Sequence, residues 1–395
     1  MILYPARVKL IFHAQSIIEY TTYEDDKMTQ TNVNEPDRFE SVVDIYRLAE
    51  ELKIQERQVM DFSASANPLG VSKKIKAELR RHLKFLNHYP DTDTRRLRKR
   101  LSQYHGIDPE TILCGNGSTE LIHLTARILN PKKVLVTAPT YSGYERALRT
   151  AESIEHRAEI GFYFLRSENG FEIDAVEFMD TMKGKNMAFL CNPNNPTGRL
   201  LGKEHVKQIA DTAKEIACYL IVDEAFIDFC PEDSVIKYAG ENPYLIVMRT
   251  MAHFHALSGL RIGYGVFPHD LVRRLREDKE PWTVNSLAQR AAVVALQDKI
   301  YRKETFSLLK QEKRLLEKNF KKLGIEVLPS DINFYLLRTP DAAEISKHLK
   351  QRGILVRDCS DFRGLDNSYM RVAVKSHKEN CILIRELSAI MNLPG

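Results

Sequence analysis

The chain has 395 residues, 43% hydrophobic and 28% charged, a globular balance that excludes disordered, collagen-like and coiled-coil proteins. Its 58 Lys and Arg against 53 Asp and Glu leave a net +5, scattered along the sequence and too small to argue for a nucleic-acid partner. A small or acidic partner remains open, and at roughly 150 residues per domain the length allows two or three domains.

The opening MILYPARVKLIFHAQS breaks its apolar stretch with Arg7, Lys9 and His13, and no apolar run reaches the roughly 18 residues of a membrane span. Residues 1–40 include the polar, aperiodic TTYEDDKMTQTNVNEPDR and a second methionine, Met28, and read as an extension outside the fold. Segment 41–74 is too short for a core of its own and is expected to pack on the C-terminal unit. From Lys132, the apolar runs KKVLVTAPT, MAFLCNPN, CYLIVDEAF, PYLIVMRT and RIGYGVF alternate with helical patterns. That alternation predicts an α/β fold with a large, mostly parallel sheet covered on both faces, spanning 75–285. Between two of the runs, Val206, Ile209, Ala213 and Ile216 supply a helical apolar stripe. Beyond Trp282, helical segments at 286–299 and 303–323 precede the strand-like NFYLLRT and MRVAVKS. These predict a smaller α+β domain built from 41–74 and 286–395.

Six cysteines occur singly, without the two-residue spacing of metal or redox pairs. They read as reduced thiols of a soluble cytoplasmic protein. His253 and His255 lack a nearby carboxylate or thiolate signature, so no metal site is expected.

The chemistry-bearing segments come directly after the predicted strands. CGNGSTELIHLTARIL sets Gly115 and Gly117 before Ser118 and Thr119 at the start of a helix. Free N–H groups and the helix dipole there favour an anion, although a glycine-rich turn before a helix is often only a cap. PTYSGY at 139–144, NPNNPTG at 192–198, DEAFIDF at 223–229 and ALSGLRIGYG at 256–265 each lie at a strand's C-terminal end, where open α/β sheets place ligands.

In this order the segments resemble the fold type I pyridoxal-phosphate enzymes of the class I/II aminotransferase superfamily. DFSASANPLG, HYPDTDTRRLRKRL, RDCSDFRGL and YMRVAVKS extend the likeness over nearly the whole chain from Asp44. The last two lean toward the branch of threonine-phosphate decarboxylases of corrinoid biosynthesis, with histidinol-phosphate aminotransferases next. The resemblance implies pyridoxal 5'-phosphate as cofactor. It places Asp223 on the pyridine nitrogen, Asn195 on the phenolic oxygen and Tyr141 on the ring face. Ser118, Thr119 and Arg261 would hold the phosphate, reached also by Tyr89 of a second subunit, which implies a homodimer. Arg371 would take a substrate carboxylate as a bidentate fork, with Asn67 on the substrate side. Phe226 stands where many relatives carry tyrosine.

One position departs decisively. Counting back from Arg261, the place of the Schiff-base lysine is His253, the hydroxyl residue before it is Ala252, and no lysine lies between Lys237 and Lys279. Imidazole cannot form the stable imine that stores the cofactor, so any cofactor is held non-covalently. Histidine is nevertheless a proton carrier near neutral pH. The sequence leaves three readings: a decarboxylase-like lyase acting on L-threonine O-3-phosphate or a similar phosphorylated amino acid; a lysine-less pyridoxal- or pyridoxamine-phosphate enzyme with His253 as acid/base, including aminotransferase-like chemistry; and a catalytically silent binding protein.

Overall fold

The computed structural model describes residues 44–152 and 157–391. The extension expected over residues 1–40 lies outside them. Helix α1 (Ile45–Leu52), strand β1 (Met60–Asp61) and helices α2 (Lys73–His82) and α3 (Arg95–His105) come first. Strands β2 (Ile112–Gly115), β3 (Lys133–Ala138), β4 (Glu159–Phe164), β5 (Met187–Cys191), β6 (Tyr219–Asp223), β7 (Leu245–Thr250) and β8 (Gly263–Val266) come next. Among them run helices α4 (Gly117–Leu129), α5 (Gly143–Ala151), α6 (Ala175–Met182) and α7 (Lys203–Glu215).

These seven strands form one sheet in the order β2-β8-β7-β6-β5-β3-β4. The five from β7 to β4 are mutually parallel, and β8 runs antiparallel to both β7 and β2. The near-continuous apolar runs are explained by burial on both faces. Along β6, Leu220 and Val222 enter the core on one face while Ile221 enters the core on the other; along β7, Leu245 and Val247 alternate with Ile246 and Met248 in the same way. Every second residue serves a different core, so neither face can be polar. The periodic stripe of α7 buries Val206, Ile209 and Ala213. Strands β2 and β4 are two that the apolar runs did not single out; β2 has only four residues, and β4, though six residues long, is only partly buried.

Helices α8 (His269–Asp278), α9 (Ser286–Ala295) and α10 (Lys299–Lys322) lead to β9 (Glu326–Val327), β10 (Phe334–Arg338), helix α11 (Ala342–Gln351), β11 (Ile354–Leu355), β12 (Arg357–Asp358), β13 (Tyr369–Ala373) and helix α12 (His377–Met391). A second sheet has the order β12-β13-β10-β9, and β1 pairs in parallel with β11. The helical stretch read from 286 to 299 divides at Asp298, whose side chain accepts the Tyr301 N–H and starts α10. Helix α9 packs against α2 and α3, with Ala288, Ala291 and Ala292 in a core of the large sheet rather than with the smaller sheet.

The smaller core joins Leu316 and Phe320 of α10, Phe334 of β10, Leu349 of α11, Val372 of β13 and Leu387 of α12. It also takes in Phe226, Ile227, Phe229 and Phe254, which lie just beyond β6 and β7. The loops at the C-terminal ends of those strands are thereby anchored in the smaller core; emptying one such position, as in Phe254→Ala, costs about 3–5 kcal/mol. No helix among the described residues is long and apolar enough to cross a membrane.

Candidate active site

A cavity of about 290 Å³ opens where β5, β6 and β7 end. Ser118, Thr119, Tyr141, Asn195, Asp223, His253, Arg261 and Arg371 all line it, although they are drawn from most of the length of the chain. Strand ends converge there because the strands are parallel neighbours and the loops after them share one edge.

The anion cradle lies at the start of α4. Gly117 has φ +75°, and a Cβ at that position would sit 2.5 Å from Arg261 Nη2. A Cβ on Gly263 would lie 2.3 Å from the Ser118 nitrogen. Only glycine lets the guanidinium and the backbone close on the Ser118 and Thr119 amides. Arg261 adds a full positive charge to the helix N-terminus, and its Nη1 donates to the Ser258 carbonyl at 3.3 Å.

Asp223 ends β6 and is 4% exposed. Its Oδ2 accepts from the Tyr144 hydroxyl at 2.7 Å and its Oδ1 from the Ala225 N–H at 3.0 Å. No cation pairs with it among the described residues. Burial pushes its carboxyl up to about 6, against the two hydrogen bonds. Tyr144 is fully buried, stacked on Phe189 at 4.8 Å. Tyr141 stands edge-on to Tyr144 with centroids 5.4 Å apart, and a Cβ on Gly143 would come 2.2 Å from the Tyr141 ring.

On the opposite side Arg371 of β13 is 9% exposed. Its Nη1 donates to Asn195 Oδ1 and its Nη2 to the Ser63 carbonyl at 2.6 Å, while Nε has no partner. Its guanidinium carbon lies 4.9 Å from the Phe334 ring centroid. Burial lowers the group to about 10, so it stays charged at neutral pH. Each Nη spends one of its two N–H groups on these bonds, and Nε is the nitrogen left with no partner.

His253 lies between these two ends. Its ring is stacked on Phe226, centroids 4.0 Å apart and planes 18° apart. Burial, with the positive charge of Arg371 second, pushes the imidazole down to about 3; Arg261 adds to the fall and a hydrogen bond with the Ser65 backbone opposes it. The neutral-pH proton carrier expected from an unperturbed histidine is therefore a neutral imidazole here. None of the described residues lining the cavity is a lysine.

Two sequence-derived residues lie elsewhere. Asn67 Nδ2 donates to the Phe254 carbonyl at 2.8 Å and to Thr305 Oγ1 at 2.7 Å, and its N–H donates to the His253 carbonyl at 2.9 Å. It braces the loop that carries His253 and does not line the cavity. Tyr89 is 82% exposed and rests on Trp282 at 5.1 Å, outside its own chain's cavity. Residues that the motifs missed include Tyr144, which sits inside PTYSGY beside the more conspicuous Tyr141. A second is Arg249, buried after β7's apolar run and paired with Glu224 at 3.0 Å and Asp228 at 2.9 Å. Among the described residues no cluster of three or more His, Cys, Asp or Glu could hold a metal.

The donor set suits pyridoxal phosphate: an unpaired buried carboxylate for a ring cation, an aromatic face, and an N–H and guanidinium cradle for a phosphate. Residues 57–387 match the family described as Aminotransferase class I and II. The chain belongs to that family. It is 35% identical over 344 residues to threonine-phosphate decarboxylase of Salmonella typhimurium, covering 86% of this chain and 93% of that one. It is 33% identical to histidinol-phosphate aminotransferase of Thermoanaerobacter pseudethanolicus, covering 78% and 85%. The structure of histidinol-phosphate aminotransferase from Sinorhizobium meliloti in complex with pyridoxal-5'-phosphate superposes with a TM-score of 0.78 at 19% identity, over 91% of this chain and 98% of that one. The family assignment places the fold among pyridoxal-phosphate-dependent transferases, in agreement with the mostly parallel sheet.

Proposed function

We propose that this chain is a pyridoxal-phosphate-dependent lyase that resembles threonine-phosphate decarboxylase and acts on a small phosphorylated amino acid, with His253 in place of the amine. The single observation that carries the reading is the joining, in one cavity, of unpaired Asp223, the Arg261 cradle and the half-engaged Arg371. Similarity to both a decarboxylase and an aminotransferase supports the family's chemistry in common; the decarboxylase branch is our choice between them.

The cofactor is pyridoxal 5'-phosphate, which when bound supplies an electron-accepting ring. Asp223 would face the ring nitrogen, where a charge-assisted hydrogen bond relieves the cost of its burial. Ser118, Thr119 and Arg261 would hold the phosphate, and Tyr141 would cover the ring. Asn195 would meet the phenolic oxygen while keeping Arg371 in place. Arg371 orients a carboxylate. His253, neutral and flat on Phe226, is a weak base at neutral pH, poorly able to take up a proton and carrying no ring charge to give one from. Tyr89 would complete the phosphate site of a second subunit.

The missing amine slows such chemistry without forbidding it, and every tenfold loss in rate corresponds to about 1.4 kcal/mol of barrier. The lack of lysine among the cavity's described lining residues, together with Ala252, favours one second reading, a binding protein that keeps the cradle but turns nothing over. Incubating the protein with pyridoxal phosphate and L-threonine phosphate, and measuring carbon dioxide and ammonia, tests the choice. Carbon dioxide release above a protein-free control supports the lyase; ammonia alone supports different acid/base chemistry; neither leaves the binding protein.

A further inference from the structure

Two buried polar atoms on residues lining the cavity have no hydrogen-bond partner: Ser65 Oγ and Arg371 Nε. Ser65 is 3% exposed. The short segment that carries it is tied down carbonyl by carbonyl. Arg371 Nη2 donates to Ser63 at 2.6 Å, Lys375 Nζ to Ala64 at 2.9 Å, and Asn333 Nδ2 to Ser65 at 2.8 Å. The Ser65 hydroxyl thus has no backbone freedom with which to find water or another partner. A hydroxyl desolvated in this way disfavours folding unless something meets it, and alanine would avoid the cost. The same segment touches the guanidinium, since Ser63 takes the Arg371 Nη2 bond two residues before Ser65.

Each outer nitrogen of Arg371 gives one of its two N–H groups to Asn195 or Ser63, and Nε is the nitrogen with no hydrogen-bond partner at all. A carboxylate has two oxygens and needs two donors. We propose that Ser65 Oγ and Arg371 Nε together receive one carboxylate, one oxygen each, which makes Ser65 a specificity-determining residue for amines that carry a carboxylate. This rests on the reading that an amino acid enters the cavity, and it adds a residue to that site.

The test compares wild type, Ser65→Ala and Ser65→Thr by calorimetric titration of the pyridoxal-phosphate-loaded protein. The ligands are L-threonine phosphate and the same phosphorylated amine without its carboxylate, 1-amino-2-propanol phosphate. Ser65→Ala is expected to weaken L-threonine phosphate about 10- to 150-fold, the range of one hydrogen bond to a charged group. It should leave the carboxylate-free amine and the affinity for pyridoxal phosphate within twofold, and Ser65→Thr should recover most of the loss. Equal weakening of both ligands, no weakening of L-threonine phosphate, or no binding of either by wild type would each overturn the inference. Wild-type binding that depends on Ser65 in a protein releasing no carbon dioxide would sink the lyase reading and leave the Ser65 assignment intact. Melting temperatures of the three proteins show whether any loss comes from folding.

Discussion

The imidazole of His253 lies flat on the ring of Phe226, 4.0 Å between centroids, so it is packed as an aromatic rather than presented as a charge. Its orientation is secured from behind by Asn67, which binds the His253 and Phe254 carbonyls. A neutral, stacked imidazole at this position has consequences for both cofactor binding and stability.

His253→Lys should introduce an amine into a cavity whose described lining has none. Borohydride treatment of the pyridoxal-phosphate-loaded variant is then expected to fix the cofactor to residue 253, seen as a mass shift on that peptide, whereas wild type releases it on dialysis. A fixed adduct on any pocket residue of wild type would refute the lysine-less account. If the lyase reading holds, the variant should also release carbon dioxide from L-threonine phosphate faster than wild type.

The depressed imidazole predicts a sign for acid stability. With the folded pKa near 3 and an ordinary value of 6.5, the unfolded chain binds a proton that the folded chain refuses between those limits. Stability should therefore fall as pH drops from 6.5 toward 3, by up to about 1.4 kcal/mol per pH unit from this residue. His105, lowered to about 3 chiefly by burial, adds a second such group. Denaturant unfolding at pH 7, 5.5 and 4.5 should show a shallower decline for His253→Gln than for wild type.

Asp223 predicts the opposite sign. Burial raises it from 3.8 to about 6, so the folded chain holds a proton more readily, and the cofactor-free protein loses stability as pH rises through that window. The full effect at pH 8 is about 3 kcal/mol. Cofactor-free Asp223→Asn should be less pH-sensitive between 4 and 7, yet bind pyridoxal phosphate about 10- to 100-fold more weakly by absorbance titration, having lost the charged acceptor. Unchanged affinity would remove Asp223 from the cofactor's site.

Arg249 is enclosed by Glu224 and Asp228 on two sides and donates to Ser234 Oγ at 3.0 Å. Replacing it with Met strands two buried carboxylates, and the expected loss is about 3–5 kcal/mol, measurable as a lowered unfolding midpoint. A drop of less than about 1 kcal/mol would mean the carboxylates protonate or reach water.

Tyr89 and Trp282 form an exposed aromatic pair. If Tyr89 completes a partner's phosphate site, light scattering at micromolar concentration should give twice the chain mass, and Tyr89→Phe should weaken pyridoxal phosphate several-fold without changing that mass. A monomer would remove Tyr89 from the site.

Much of the site could be read in the sequence because its residues sit in short motifs directly after apolar strands. Tyr141, Asn195, Asp223 and Arg261 are legible for that reason: a parallel sheet brings its C-terminal strand ends to one edge, so residues just beyond those strands meet whatever the loop details. The absence of a lysine near His253 was equally a matter of counting. The sequence could not show relations set by packing between distant segments. Tyr144 reaches Asp223 across 79 positions, Asn333 reaches Ser65 across 268, and Arg371 reaches Ser63 across 308. Such contacts decide that Asp223 is buried with no cation on it among the described residues, that Arg371 keeps Nε as its unpartnered nitrogen, and that Asn67 braces a loop rather than lining the cavity. They also decide charge. Residue type sets an ordinary pKa, but burial and neighbouring guanidinia move His253 to about 3 and burial moves Asp223 to about 6, because desolvation is a property of the enclosing fold and not of the local sequence.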